Sequence, residues 1–560
     1  MRAELRHFIS RLGRNGLAEL GLGWRAMRQK GPSQVQFWLI ALVIGVAAGA
    51  AALGFRVGIA ALQEFFYGAS DKDLHSRLAT LHWGWVLGIP VLGGLAVGLL
   101  LHTVSEIRRP QSLADVIEGA ALREGRVDKR EGLVSTLASL ITLSTGGSSG
   151  REGPVVHLGA VISTYVSGWI KADGITARDL MGCAAAAAVS ASFNAPIAGT
   201  LFALEVVLRH FAVRSFAPIV IASVAGTLVS RWQMGNVTEF ALPASDIGFY
   251  IELPAFLLLG LICGLMAFVL IRSIFIAEEL GDLVQKATHM PDWLRPAAAG
   301  AILGTIAIWF PHIIGVGYET TSRVLTGQVG LWMVIMFVTV KVAAVAITFS
   351  GRMGGGIFSP SLMVGAMTGL AFGYVATAIA PELSGAETLY ALAGMGAVAA
   401  AVLGAPISTT LIVFELTGDW QAGVAVMVSV SLASALTTRL VDRSYFLTLL
   451  KRRGVRLADG PQNYVLGTIS TGRLMRALGA EDGASETRLF ELVEQGLSLP
   501  PDATLDRAFA LFDNGKIEII PIVEPAEEED SPELLGALFY IDALRAYNRA
   551  LAKIAQEEHA

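Results

Sequence analysis

The sequence has 560 residues, of which 53% are hydrophobic and 16% charged, and its formal net charge is −5 at pH 7. This composition excludes an ordinary soluble domain, and the slightly acidic balance gives no indication of a nucleic-acid partner. Several apolar runs are long enough to cross a bilayer. They lie at Phe37–Leu62, Trp83–Leu101, Leu253–Ala277, Leu331–Phe349 and Ala422–Leu440. The sequence therefore predicts an all-α polytopic membrane protein.

The flanks of this membrane region indicate its orientation. Residues 1–34 are basic and are predicted to be amphipathic, and a second basic cluster, Lys451–Arg453, follows the last span. Because positively charged flanks stay on the cytoplasmic side, both termini are predicted to be cytoplasmic. The Arg- and Ala-rich composition favours a bacterial inner membrane.

Shorter apolar helices lie between the long ones. Leu113–Leu122 and Leu133–Thr145 are short for a full span, and the helix containing Ala184–Ala188 must break at Ser190–Pro196 before a second short helix, Ile197–Leu208. Broken helices at membrane depth are tolerated only where they line a cavity or lie buried in protein. These breaks are expected to do one or the other.

A glycine-rich loop, Ser148–Pro154 (S-S-G-R-E-G-P), precedes an apolar run. Pro154 suits the first turn of a helix, so the loop is predicted to open onto a helix N-terminus, where unpaired N–H groups and the dipole favour an anion. The candidate donors are the backbone N–H groups of Gly150, Arg151 and Gly153. Glu152 beside them is either a functional carboxylate at membrane depth or a helix-capping acid.

The second half of the chain repeats this arrangement. Another glycine-rich loop, Ser350–Pro360, precedes an apolar helix, and the pattern A-P-I-x-x-T-L-x-x-x-E occurs at Ala195–Glu205 and again at Ala405–Glu415. The spacing is nearly the same in both halves, which makes chance similarity between Gly/Ala-rich helices the weaker explanation. Matching short helices interrupted by Gly and Pro predict a transport site at the bilayer midplane.

These motifs, in this order, resemble the CLC chloride channels and chloride/proton exchangers. They are G-R-E-G-P at 150–154, S-F-N-A-P-I-A-G at 192–199, G-G-G-I-F-S-P at 354–360, G-A-P-I-S-T-T at 404–410, and Tyr445 before a basic stretch. The resemblance covers residues 35–453. It implies an inverted-repeat fold, with repeats at about 35–235 and 250–453 and broken helices meeting at the midplane. It also implies a homodimer in the lipid bilayer, with one chloride pathway per subunit.

The resemblance assigns roles to individual residues. Glu152 resembles the external gating glutamate, whose carboxylate competes with chloride for an anion site and swings away when it is protonated. The N–H groups of Ile357 and Phe358 are expected to face the anion, and the Tyr445 hydroxyl to close the inner side of the central site. For Tyr445 the alternative is an interfacial aromatic anchor.

Two departures from the family pattern affect the function. The usual G-S-G-I-P motif is replaced by Pro110–Asp115, in which Ser112 keeps the serine position without its glycine and proline neighbours. Ser112 stays a candidate anion ligand, and fluoride or nitrate stays open as the anion. The internal proton-relay position is Val206, which carries no proton. A channel-like or uncoupled chloride pathway is therefore favoured over an antiporter that moves protons by another route.

The C-terminal region has a different character. Residues 461–560 combine a strand-like run, Lys516–Val523, with the amphipathic helices Leu505–Phe512 and Tyr540–Ile554 and an acidic loop, Glu524–Glu533. They predict a small cytoplasmic α/β domain that weakly resembles a CBS domain. In the family such domains help to hold the dimer and some bind adenine nucleotides. A structural role is favoured here, so no cofactor is expected.

Functions of another class fit the sequence less well. It contains no metalloprotease motif, no nucleophile with a partnered base and no phosphate-binding lysine loop. Cys183 and Cys263 lie in apolar runs without metal-ligand spacing and are predicted to be buried thiols, and His157 is predicted to be a packed residue. No metal and no enzymatic activity are expected. A membrane-embedded enzyme or a sensor is the alternative.

Overall fold

The computed structural model describes residues 32–211, 213–235, 249–381, 385–441, 443–455, 466, 469–479, 484–524 and 533–559. Most of the predicted basic, amphipathic segment 1–34 and most of the predicted acidic loop lie outside these residues. The chain divides into two compact units. One holds residues 1–120, 125–209 and 216–453, and the other holds residues 121–124, 210–215 and 454–560.

All the named secondary-structure elements of the larger unit are helical in its described residues. The helices of its first half are α1 (Gln34–Tyr67), α2 (Leu74–Leu78), α3 (Trp83–Val104), α4 (Leu113–Leu122), α5 (Lys129–Thr145), α6 (Glu152–Ile170), α7 (Gly174–Phe193), α8 (Pro196–Phe202) and α9 (Val213–Met234). A π-helical turn, Ala203–Leu208, follows α8 directly. The short helices predicted in this half are confirmed, and α7 and α8 are separated by Asn194, whose φ of 58° ends α7.

The second half has the same succession of long and short helices. They are α10 (Phe249–Thr288), α11 (Arg295–Trp309), α12 (Tyr318–Leu325), α13 (Leu331–Ser350), α14 (Phe358–Ile379), α15 (Glu387–Leu403), α16 (Pro406–Thr417), α17 (Trp420–Leu440) and α18 (Tyr445–Arg452). Single 3-10 turns lie at Asp292–Leu294 and Pro311–Ile313.

In the described residues, seven helical stretches are long and apolar enough to cross a membrane. They include every span predicted from the sequence, so the polytopic helical fold is confirmed. Two further spans, Arg214–Met234 and Phe358–Ile379, were not predicted. Their mean hydropathies of 1.3 and 1.7 are lower than the 2.2 of Leu331–Ser350. Polar side chains and proline lower the apolar signal of these helices without preventing them from being helical.

The two A-P-I repeats cap one another. The Glu415 carboxylate at the end of α16 accepts hydrogen bonds from Ile197 N (3.0 Å) and Ala198 N (2.7 Å) in the first turn of α8. Glu205, after α8, accepts from Ile407 N (3.0 Å) and Ser408 N (2.8 Å) in the first turn of α16. Each carboxylate satisfies N–H groups that the helix itself cannot pair and lies at the positive end of the helix dipole.

Removal of either carboxylate is expected to destabilise the larger unit. We expect Glu205→Ala and Glu415→Ala each to cost about 1–2 kcal/mol, the typical cost of losing a helix cap, and to lower the unfolding temperature of the detergent-solubilised protein. Glu64→Ala, an exposed acid on α1, is the matched control. Unfolding temperatures equal to that of the control would show that the reciprocal caps do not contribute to stability.

The smaller unit contains the only sheet in the described residues. Its strands are β1 (Arg476–Ala477), β2 (Ile519–Glu524) and β3 (Glu533–Phe539), antiparallel in the order β1-β3-β2. Helices α19 (Glu486–Glu494), α20 (Leu505–Gly515) and α21 (Tyr540–His559) accompany them. Leu505 and Phe512 pack on Ile520 and Leu538 to form a small core. A small α/β region is thus confirmed, while its likeness to a CBS domain stays a prediction.

Candidate functional site

Two glycine-rich loops, one from each half of the chain, pair at the centre of the larger unit. Gly150 N donates to Gly356 O (2.6 Å) and Gly356 N donates to Gly150 O (2.7 Å), which makes a short antiparallel bridge. Gly355 follows the left-handed backbone that glycine favours, with φ of 109°. A Cβ at Gly355 would overlap the Ser149 side chain. Glycine at 355 is therefore required both by conformation and by space.

The bridge brings two helix N-termini together. Helix α6 begins at Glu152 and α14 begins at Phe358, each directly after its paired loop. Their first-turn N–H groups lack intrahelical partners, and both helix dipoles present their positive ends here. Gly150 was predicted to offer its N–H to an anion, but that N–H donates to Gly356 O. Gly150 instead joins the two loops.

A small cavity lies at these N-termini. Its lining includes the predicted site residues Ser112, Glu152, Gly153, Ile357, Phe358 and Tyr445. The other lining residues are mostly apolar and include Val156, Phe202, Phe349 and Phe446. Gly150 and Arg151 are not part of the lining. The structure thus brings most of the sequence-predicted residues, from distant parts of the chain, around one small space.

Glu152 is buried, with only 2% of its surface exposed. Its Oε1 accepts hydrogen bonds from Ser359 Oγ (2.5 Å) and from the Tyr318 hydroxyl (3.2 Å). Its Oε2 has no hydrogen-bond partner among the described residues. Burying an acid with one unpaired oxygen costs folding free energy. Such an acid is therefore a candidate functional group. Sequence reasoning missed Tyr318 and Ser359.

Arg151 lies beside this arrangement rather than in the cavity. It is the N-cap residue of α6, and its buried guanidinium lies 4.8 Å from the centre of the Tyr318 ring. A cation over an aromatic face is attracted by the ring quadrupole. Tyr318 is therefore held through its ring by Arg151 while its hydroxyl contacts Glu152.

Tyr445 closes another part of the cavity. It is buried at the start of α18, where Ser444 caps the helix by accepting from Leu447 N. Its ring stacks on Phe275 at 5.5 Å between centroids and meets Phe349 edge-on at 6.0 Å. This aromatic packing in the protein interior fixes the Tyr445 ring at the cavity wall. It does not resemble an interfacial anchor, which would be exposed to the lipid headgroups.

Ser112 lines the cavity, but its polar atoms have partners in α4. Its N–H donates to Asp115 Oδ2 (2.7 Å), and its hydroxyl donates to the same oxygen (3.2 Å). Asp115 in turn forms an ion pair with Arg453 (3.0 Å). The hydroxyl must therefore turn from Asp115 before it can donate to an anion.

Two other residues bear on proton movement. Val206 is buried in the π-helical turn Ala203–Leu208, where its side chain is apolar. His157 is buried in α6, and neither of its ring nitrogens has a hydrogen-bond partner in the described part of the chain. Of these two residues, only His157 could carry a proton.

Comparison with known proteins places this arrangement in context. The family model of voltage-gated chloride channels matches residues 93–438. The chain is 32% identical over 395 residues to a putative ClcB-like chloride channel protein of Ralstonia nicotianae, covering 70% of this chain and 91% of the relative. It is 30% identical over 411 residues to the voltage-gated ClC-type chloride channel ClcB of Escherichia coli, covering 72% of this chain and 96% of the relative.

A longer plant protein is also similar. Chloride channel protein CLC-f of Arabidopsis thaliana is 30% identical over 441 residues, which is 74% of this chain and 55% of the plant protein. The chain therefore spans about half the length of that relative.

Solved structures share the fold at lower sequence identity. A slow cyanobacterial Cl⁻/H⁺ antiporter has a TM-score of 0.65 at 21% identity, covering 75% of this chain and 98% of the antiporter. A eukaryotic CLC transporter has a TM-score of 0.65 at 17% identity, covering 90% of this chain and 97% of the transporter.

Proposed function

The chain belongs to the voltage-gated chloride channel (CLC) family, whose members are channels or transporters rather than enzymes, and on that premise we propose that it conducts chloride through a pathway gated by Glu152. One observation carries this proposal. A buried carboxylate lies in a cavity at two helix N-termini, with one oxygen held by hydroxyls and the other unpaired in the part of the chain that the structure describes. Such a carboxylate takes the place that an anion would take.

The proposed pathway follows from the chemistry of the lining. A dehydrated anion in an apolar cavity needs N–H and O–H donors in place of water. Gly153, Ile357 and Phe358 supply backbone N–H groups, and the hydroxyls of Tyr445 and Ser112 complete the site. While Glu152 is ionised, its charge repels chloride and its carboxylate blocks the pathway. Protonation from the external side removes the charge and lets the side chain leave.

Val206 favours chloride movement that is not coupled to proton movement. A proton crossing a membrane protein needs titratable groups or ordered water along its route. With valine at position 206, we propose that chloride moves in a channel-like manner, without an obligatory proton counterflow. Chloride is the proposed anion, and fluoride and nitrate are the competitors because the loop at Ser112 departs from the family pattern.

Chloride/proton exchange is the second candidate. The buried imidazole of His157 is the observation in its favour, because imidazole is a group that can take up and release a proton. In this case His157 would replace the carboxylate that is missing at position 206.

We further propose the assembly and location that the family resemblance implies. The protein would be a homodimer in a bacterial inner membrane, with both termini cytoplasmic. The molar mass of the detergent-solubilised protein tests whether it is a homodimer. Protease access to the termini in sealed vesicles tests whether both termini are cytoplasmic.

Anion efflux from liposomes tests the proposed function. Purified protein is reconstituted with internal chloride, fluoride or nitrate, and release is followed with an electrode for each anion. We expect chloride release well above that of empty liposomes and faster than fluoride release. Release no faster than from empty liposomes would contradict the transport proposal, and fluoride release faster than chloride release would contradict the choice of anion.

A further inference from the structure

We infer that Tyr318 and Ser359 form a hydroxyl latch that holds Glu152 in the blocking position and sets the external pH at which the pathway opens. This inference rests on the proposed gating role of Glu152 and deepens it. Both residues are positioning residues, because they act through the carboxylate rather than on chloride itself.

The latch acts on a single oxygen. Ser359 Oγ and the Tyr318 hydroxyl approach Glu152 Oε1 at 2.5 Å and 3.2 Å, and all three side chains are buried. Ser359 lies in the first turn of α14, next to Phe358, so its hydroxyl belongs to the opposite half of the chain from Glu152. Two buried donors on one carboxylate oxygen hold the side chain in place, while Oε2 contacts no donor that the described residues supply.

Tyr318 is itself fixed. It is the first residue of α12, after Gly317, whose φ of 87° is left-handed. The Arg151 guanidinium covers its ring. Its neighbours in the chain, Gly317, Glu319 and Thr320, line a second cavity. With its ring held in this way, the Tyr318 hydroxyl lies within hydrogen-bonding distance of Glu152.

The sign of the effect follows from the charge of the acceptor. Hydroxyl donors stabilise an ionised carboxylate more than a protonated one. Their hydrogen bonds to Glu152 must break before the side chain can leave. The latch therefore favours the closed pathway and lowers the external pH needed to open it. Removing one donor should move the midpoint of opening to higher pH.

The test measures chloride efflux against external pH for Tyr318→Phe, Ser359→Ala and the double variant. We expect each single change to raise the midpoint pH by about 1 unit, equal to about 1.4 kcal/mol, and the double change to raise it further. Tyr374→Phe is the matched control, because its hydroxyl donates to Val329 O, away from the site. The control should keep the original midpoint.

A second series separates the latch from the gate. In the Glu152→Ala background the carboxylate is absent, so adding Tyr318→Phe or Ser359→Ala should leave chloride efflux unchanged. Unaltered midpoints in the single variants would overturn the latch while leaving the gate intact. Effects that persist in the Glu152→Ala background would also overturn it. If Glu152→Ala itself kept the original pH dependence, the gate proposal would fail, and the latch with it.

Discussion

Chloride efflux through the Glu152→Gln variant should be at least about tenfold faster than through the unaltered protein at neutral external pH, and it should no longer depend on that pH. Glutamine has nearly the shape of glutamate but carries no charge and takes up no proton. The hydroxyl donors would lose a charged acceptor, and a hydrogen bond to a charged group contributes about 1.5–3 kcal/mol. A tenfold change corresponds to about 1.4 kcal/mol, so the loss of one such hydrogen bond is enough to account for it.

The measurement is chloride efflux from liposomes at external pH values between about 4.5 and 7.5. Glu64→Gln removes an exposed carboxylate on α1 and serves as the control, which should behave like the unaltered protein. If Glu152→Gln retained both the original flux and its pH dependence, the carboxylate would be a structural cap of α6 and not the gate. That is the alternative that the sequence left open.

The second large effect is expected where the two glycine-rich loops pair through Gly150 and Gly356. Gly355→Ala should destabilise the folded protein by about 3 kcal/mol and reduce chloride efflux at least tenfold, because the left-handed backbone and an overlap with Ser149 both oppose a side chain there. The loop would have to shift, and the Gly150–Gly356 bridge that aligns α6 with α14 would shift with it. Unfolding temperature in detergent and efflux from liposomes measure the two consequences.

Two further variants separate the causes of this loss. Gly54→Ala places a methyl group where no atom lies within 4 Å, so it should leave stability and efflux unchanged. Combining Gly355→Ala with Ser149→Gly removes the overlapping side chain but keeps the backbone strain, so it should restore only part of the stability. An unfolding temperature of Gly355→Ala equal to that of Gly54→Ala would show that the paired loops are not rigidly matched.

The sequence indicated most of the cavity but not what holds its carboxylate. Glu152, Phe358 and Tyr445 lie in or near short motifs, and a motif can be recognised without knowing the fold. Tyr318 lies in no motif and meets Glu152 only after the two halves have folded together. Ser359 was within reach of sequence reasoning, because it follows Phe358 in the same helix turn. A polar residue in the first turn of an otherwise apolar helix is the signal that could have found it.

The internal repeat predicted symmetry but not how it is used. The acids that end the two A-P-I patterns were read from spacing alone, whereas the structure shows Glu205 and Glu415 exchanging helix caps between the halves. These reciprocal caps depend on the packing of α8 against α16, and the spacing of residues along the sequence does not predict that packing. In the same way, the Gly150 N–H was predicted to face an anion, because no sequence pattern indicates its hydrogen bond to Gly356 O.

Chloride and proton movement should be recorded together in liposomes that contain the unaltered protein and a chloride gradient, because this measurement tests both the glutamate gate and the uncoupled pathway. We expect chloride to leave faster as the external pH falls, and no protons to be driven against their own gradient. Chloride release that ignores external pH would contradict the glutamate gate. Uphill proton movement driven by chloride would contradict the uncoupled pathway and would favour an exchanger in which a group other than Val206, such as His157, carries the proton.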